Sequence, residues 1–272
     1  MALNSLPFSL ALAAYFVATG LALAYLISRR DGLHRLASLA ALAGWVFHTL
    51  ALVVRGLELN RPPLATLSEA ISVLVWASVL LTLWAERRYG VKVLSAFVLP
   101  VVLSFSLSTV TFPGSVGDLA PALTSVWISV HVVLALLGIS AFVLNFAGGI
   151  MYLLQERQLK SKRPGALYYR LPSLETLDRI TLRALTLGFP FLSAGLVLGA
   201  ARAGTAWERF FTVDPLVIFS CIAWGIYAMT LSGWVVAGWR GRRAAYFAIV
   251  GFAALLLTLG TGFLLPGRHG GS

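Results

Sequence analysis

The chain has 272 residues, 59% of them hydrophobic and 11% charged, with a mean hydropathy of +0.87. A water-soluble domain carries about 25% charged residues, so the composition excludes a soluble enzyme and points to a polytopic membrane protein. The formal net charge of +11 suggests nucleic-acid binding at first sight, but the distribution of the charges along the chain removes that reading.

Apolar runs long enough to cross about 30 Å of hydrocarbon as helices fall near 5–28, 36–54, 68–86, 93–110, 125–155, 184–203, 215–238 and 244–266. The fold class expected is therefore all-α, with eight transmembrane helices in a single polytopic domain over 1–272. The first run exceeds a signal-peptide core, and its first charge, Arg29, follows it, so a span is expected there. Arg29, Arg30 and Arg35 follow the first run, and Arg87, Arg88 and Lys92 the third. A basic group from Arg157 to Arg183 follows the fifth, and Arg240, Arg242 and Arg243 the seventh. These alternate segments hold 16 of the 21 Lys and Arg. By the positive-inside rule they are cytoplasmic, which puts both termini on the external side. The basic excess is thus an orientation signal with some attraction for anionic headgroups, and nucleic acid is excluded as a partner.

The first outside stretch contains Pro62-Pro63, which breaks helix. The second, 110–125, has Pro113, Gly114, Gly117 and Pro121 and no basic residue, and reads as a plain connection. The fifth run is longer than a bilayer needs and is expected to enter water at Gln155–Lys160. Beyond it, Leu171, Leu174, Leu177 and Ile180 recur every three residues among charges. This predicts one short amphipathic cytoplasmic helix at the interface, either a connector or a docking surface. The outside stretch 204–214 carries Trp207, Phe210 and Phe211, which taken alone read equally well as an interfacial aromatic belt. Cys221 has no second cysteine to pair with, so dithiol chemistry is excluded, and it reads as a small packing residue.

Three of the four histidines, His48, His131 and His269, fall near the outer ends of the second, fifth and eighth runs, at one shared depth. Imidazole is costly in lipid and is a common ligand of haem iron. Haem binding needs axial imidazoles, a flat apolar slot and cations for the propionates. His131 and His269 are placed to approach iron from opposite sides, with Trp127 one turn above His131. Arg55, two turns above His48, and Arg61, Arg202 and Arg209 are outside cations. Taken singly, each histidine is more often a hydrogen-bonded packing residue; their shared depth counts against that reading. Zinc is a weaker alternative, because no His-x-x-x-His pair or Glu partner is nearby. A transporter of another small solute is a further alternative, against which the sparse intramembrane charge counts. His34, beside Arg30 and Arg35, reads as solvated.

Four stretches carry a resemblance. Arg55-Gly56 with Pro63-Leu64 and Glu69 is the first, and Trp127-Ile-Ser-Val-His131 the second. The third is Tyr152 to Lys160 followed by Leu171 to Asp178. The fourth runs Ala206-Trp207 through Asp214-Pro215, Trp224 to Tyr227, Gly238 to Ala244 and Leu264 to His269. From about Arg55 onward the chain resembles the membrane proteins of cytochrome c assembly, the CcsA/HemX-like branch of a haem-handling superfamily. The resemblance implies a multi-pass protein of the bacterial cytoplasmic (inner) membrane that binds or presents haem at the external face. The haem would be b-type and non-covalent, with His131 and His269 as ligands to its iron. The family's tryptophan-rich platform maps to Trp207 through Pro215, where Trp207, Phe211 and Asp214 would lie against haem. Trp127 and His48 would lie nearby, and Arg55, Arg61 or Arg209 would pair with propionates. The motif is thinned: Phe211 and Val213 stand where tryptophans would be, Leu216-Val217 replaces the usual Lys-Glu, and Ser232 stands where a further histidine would be. The resemblance implies an assembly factor, at most a dependent component of a cytochrome c haem lyase system, and not an independent enzyme. Its partners would be other cytochrome c assembly proteins. A HemX-like regulator of haem biosynthesis is the alternative, with a haem-synthesis enzyme as partner of the cytoplasmic segment.

Overall fold

The structure is a computed structural model and describes residues 5–111, 126–161, 165, 167–203 and 215–264. The described residues form eight long helices: α1 (Leu6–Ser28), α2 (Asp31–Leu59), α3 (Leu67–Tyr89), α4 (Leu94–Thr111), α5 (Val126–Lys160), α6 (Leu174–Ala203), α7 (Pro215–Ala237) and α8 (Arg242–Leu264). All eight are long and apolar enough to cross a membrane. The expected all-α class and helix count are thus found.

Local chemistry sets the helix ends. α1 stops at Arg29, whose left-handed backbone (φ 55°) turns its N–H back to the Tyr25 carbonyl. α2 begins at Asp31, five residues ahead of the apolar run, with the acidic residue in the first turn where the helix dipole favours it. It ends at Leu59, and Asn60 (φ 50°) closes the last turn just before Pro62-Pro63. α3 opens on a capping box between Thr66 and Glu69 and closes on Gly90 at φ 66°.

The helices pack as two groups that share α5. α1 pairs with α2 and α3 with α4, and these hairpins join through α1–α4 and α2–α3 contacts. α5 lies against α3 and α4 on one side and α6 and α8 on the other, and α7 packs on α6 and α8. With 35 residues α5 is about 52 Å long, more than a bilayer's apolar depth. Its segment from Gly138 to Leu144 is buried without a break, as a central helix requires.

Small residues let α5 and α6 approach closely, as lipid-embedded helices must when water supplies no hydrophobic drive. A Cβ on Gly138 would lie 2.9 Å from the Leu192 backbone nitrogen and 3.0 Å from the Gly188 carbonyl. Further along the same seam, Asn145 donates to the Thr181 carbonyl at 2.8 Å.

The structure corrects three expectations. Leu174 to Ile180 do not form a separate interfacial helix; they are the first turns of α6. Leu171, Leu177 and Ile180 are buried in the bundle, so the apolar stripe packs against protein. Cys221 is exposed on the outside of α7 and does not pack in the core. The histidine depths, described below, are the third.

The end of the bundle holding Arg29, Lys92 and Arg242 is called the basic end here. Lys92, between α3 and α4, pairs with Asp31 at 2.8 Å and so ties two hairpins together there. The hydrogen bond and charge of Asp31 raise the Lys92 ammonium above its ordinary range.

Candidate functional site

His131 lies near the start of α5, at the end opposite the basic one, and faces α6. Its Nδ1 meets the Gly195 carbonyl. A carbonyl only accepts, so Nδ1 carries a hydrogen, and in the neutral ring that leaves the lone pair on Nε2. Nε2 has no hydrogen-bond partner among the described residues. The ring also lies against Gly199: a Cβ there would sit 2.8 Å from the imidazole Cε1 and 3.0 Å from Nδ1. Gly195 and Gly199, one turn apart on α6, therefore make the shelf on which the ring rests. Metal-bound imidazoles are commonly oriented in this way, with one ring N–H held by a carbonyl and the other nitrogen left for the metal. Trp127 is 62% exposed one turn outward on α5, so a broad aromatic surface borders the half-buried ring.

His48 is different. It is fully buried, with Nδ1 3.2 Å from the Tyr15 hydroxyl and Nε2 2.8 Å from the Ser72 hydroxyl. Phe8 meets it edge-on at 5.5 Å. Both nitrogens are engaged, so the ring bridges α1, α2 and α3 and has no lone pair to spare. It is also deeper. Ser140 of α5 reaches the Leu74 carbonyl of α3, which places Ser72, and so His48, level with about residue 138 of α5. His131 is then about 10 Å further out, at 1.5 Å of rise per residue. The single depth expected for these two histidines is therefore corrected.

Arg55 and Arg61 converge on Glu69. The carboxylate is buried and receives Arg61 at 2.9 Å, Arg55 at 3.3 Å, and the backbone N–H groups of Ala65 and Thr66. This cluster fixes the turn from α2 to α3. Its signal in the sequence was the Thr66-x-x-Glu69 spacing after two prolines, which marks a capping box. His269, Trp207, Phe211, Asp214 and Arg209 lie outside the described residues. Tyr15, Ser72, Gly195 and Gly199 were not singled out in the sequence. Of these only the glycine pair, four residues apart, left a local trace.

The family model described as Cytochrome C assembly protein matches residues 64–269, about three quarters of the chain. The chain belongs to that family. Among curated relatives, the cytochrome c biogenesis protein CcsA of Guillardia theta is 30% identical, over 81% of this chain and 80% of its own length. The CcsA protein of Gloeobacter violaceus is 29% identical over 95% of this chain and 93% of its own length. That of Porphyra purpurea is 27% identical over 89% and 88%. This chain is thus a multi-pass membrane protein of cytochrome c biogenesis, as the quoted motifs implied. The match begins at Leu64, just inside the Arg55–Glu69 cluster, and includes His131 and the α6 glycines.

Proposed function

We propose that this protein binds haem at the external face of the cytoplasmic membrane and presents it for cytochrome c assembly. His131 and His269 would hold the haem iron, and Trp207, Phe211, Asp214 and Trp127 would lie against the group. The observation that carries the reading is the state of His131: Nδ1–H is given to the Gly195 carbonyl, and Nε2 is left as a donor. An available imidazole nitrogen fits haem iron, which would accept it as a ligand. Arg55 and Arg61 hold Glu69, so Arg209 is the cation assigned to the propionates. His48 supports the bundle from within. Covalent attachment of haem to apocytochrome thiols falls to partner proteins of the assembly pathway.

The test is an absorbance spectrum of the purified protein after reconstitution with haem, repeated for His131→Ala and His269→Ala. Wild type is expected to give the Soret and α/β bands of a bis-histidine complex. Each variant is expected to lose them, with partial rescue by added imidazole. Wild type without haem bands, or both variants with unchanged spectra, refutes the reading.

A further inference from the structure

α3 and α6 flank α5 at the basic end, and between them runs a groove of about 360 Å³. Ala141 and Leu144 of α5 form its floor, Leu81 and Trp84 of α3 one wall, and Ala184 and Leu187 of α6 the other. Apart from Thr186 the lining away from the basic end is apolar, and Trp84 and Leu187 stay half exposed along it.

The other end of the groove is cationic. Arg88 and Arg183 come from different helices yet stand over the same ring, with their guanidinium carbons 5.9 and 5.5 Å from the Tyr89 centroid. Neither forms an ion pair with a carboxylate among the described residues. Both guanidiniums also line the groove, so two positive charges stand at this end of it. An anion there is attracted by both, and guanidinium favours phosphate oxygens in a forked geometry.

We propose that this groove is a binding site for one anionic phospholipid. The phosphate headgroup lies between Arg88 and Arg183, and an acyl chain lies along Leu81, Trp84 and Leu187. A basic mouth joined to an apolar groove between membrane helices is the chemistry that selects such a lipid over a neutral one. The groove continues straight from charge to apolar lining, so a free phosphate would use only half of it. The site is separate from His131, which lies near the opposite end of α5.

Native mass spectrometry of the delipidated protein with palmitoyl-oleoyl phosphatidylglycerol tests the proposal. One equivalent is expected to be retained, at least tenfold more tightly than the matching phosphatidylcholine. Arg88→Gln with Arg183→Gln is expected to abolish that preference. Leu187→Trp, which fills the groove and keeps both charges, is expected to lower retention of the same lipid several-fold. Arg240→Gln with Arg243→Gln removes equal charge from the same end and is expected to change nothing. Equal retention of the two lipids, equal loss in the control pair, full retention in Leu187→Trp, or displacement by inorganic phosphate would each overturn the proposal.

Discussion

Gly199→Ala is the sharpest probe of how His131 is held. The added methyl would stand 2.8 Å from Cε1 and 3.0 Å from Nδ1 of the imidazole, where ordinary contact needs 3.4 Å or more. The ring must retreat by at least about half an ångström, and its hydrogen bond to the Gly195 carbonyl stretches or breaks. A neutral hydrogen bond contributes about 1 kcal/mol net, and loss of an orienting partner behind a metal-bound histidine typically weakens binding 10–100-fold. The prediction is a loss of about tenfold in haem affinity, read from absorbance titration of the purified protein. Gly225→Ala is the control, because a Cβ there meets nothing within 4 Å. Unchanged affinity and spectrum in Gly199→Ala refutes the idea that the α6 glycines seat the ligand. An equal loss in Gly225→Ala shows a general effect of substitution and refutes it too.

Glu69→Ala strands two partly buried guanidiniums and removes the α3 cap; the cost is about 3 kcal/mol, moderated by the water each arginine still reaches. Faster proteolysis within 60–66 and a lower unfolding midpoint in detergent are expected, with Glu69→Gln milder; identical behaviour of both variants and wild type counts against the cluster as a clamp. His48→Ala leaves the Tyr15 and Ser72 hydroxyls unpaired around a new cavity, at about 2–4 kcal/mol. Its reconstituted haem spectrum is expected to match wild type, and a lost axial ligand there would restore His48 to the haem site. Gly138→Leu drives a side chain into the α6 backbone at 2.9 Å, so thermal stability in detergent should fall by about 1–3 kcal/mol. An unchanged midpoint would mean that α5 and α6 are less tightly packed than described.

Helix number and class were legible because lipid imposes a length and a polarity on every span, and both are local properties. The break between α2 and α3 was legible for a related reason: two prolines act within a few residues, whereas the Thr66–Glu69 capping box beside them went unread. The start of α6 was misjudged because a period of three cannot say what an apolar stripe packs against. Leu177 and Ile180 are buried within the bundle. His131 was found by residue type and position, yet its orientation depends on Gly195, 64 residues on. By position alone His48 looked the same as His131, and only the family resemblance ranked it second. Only the approach of Tyr15 and Ser72 across helix contacts separates a saturated imidazole from an available one. Arg55 and Arg61 read as free cations for the same reason, since Glu69 reaches them only when the turn has closed.

The α5–α6 seam also has a consequence for how the protein is made. Spans leave the ribosome in order, and α5 enters the bilayer with Asn145 and the His131 Nδ1–H still lacking their partners, because both acceptor carbonyls, Thr181 and Gly195, belong to α6. A lone polar span is costly in lipid, so the favoured route inserts α5 and α6 as one hairpin. The imidazole is therefore fixed in orientation only after α6 is docked, and a truncated nascent chain carries the histidine without the carbonyl that holds it.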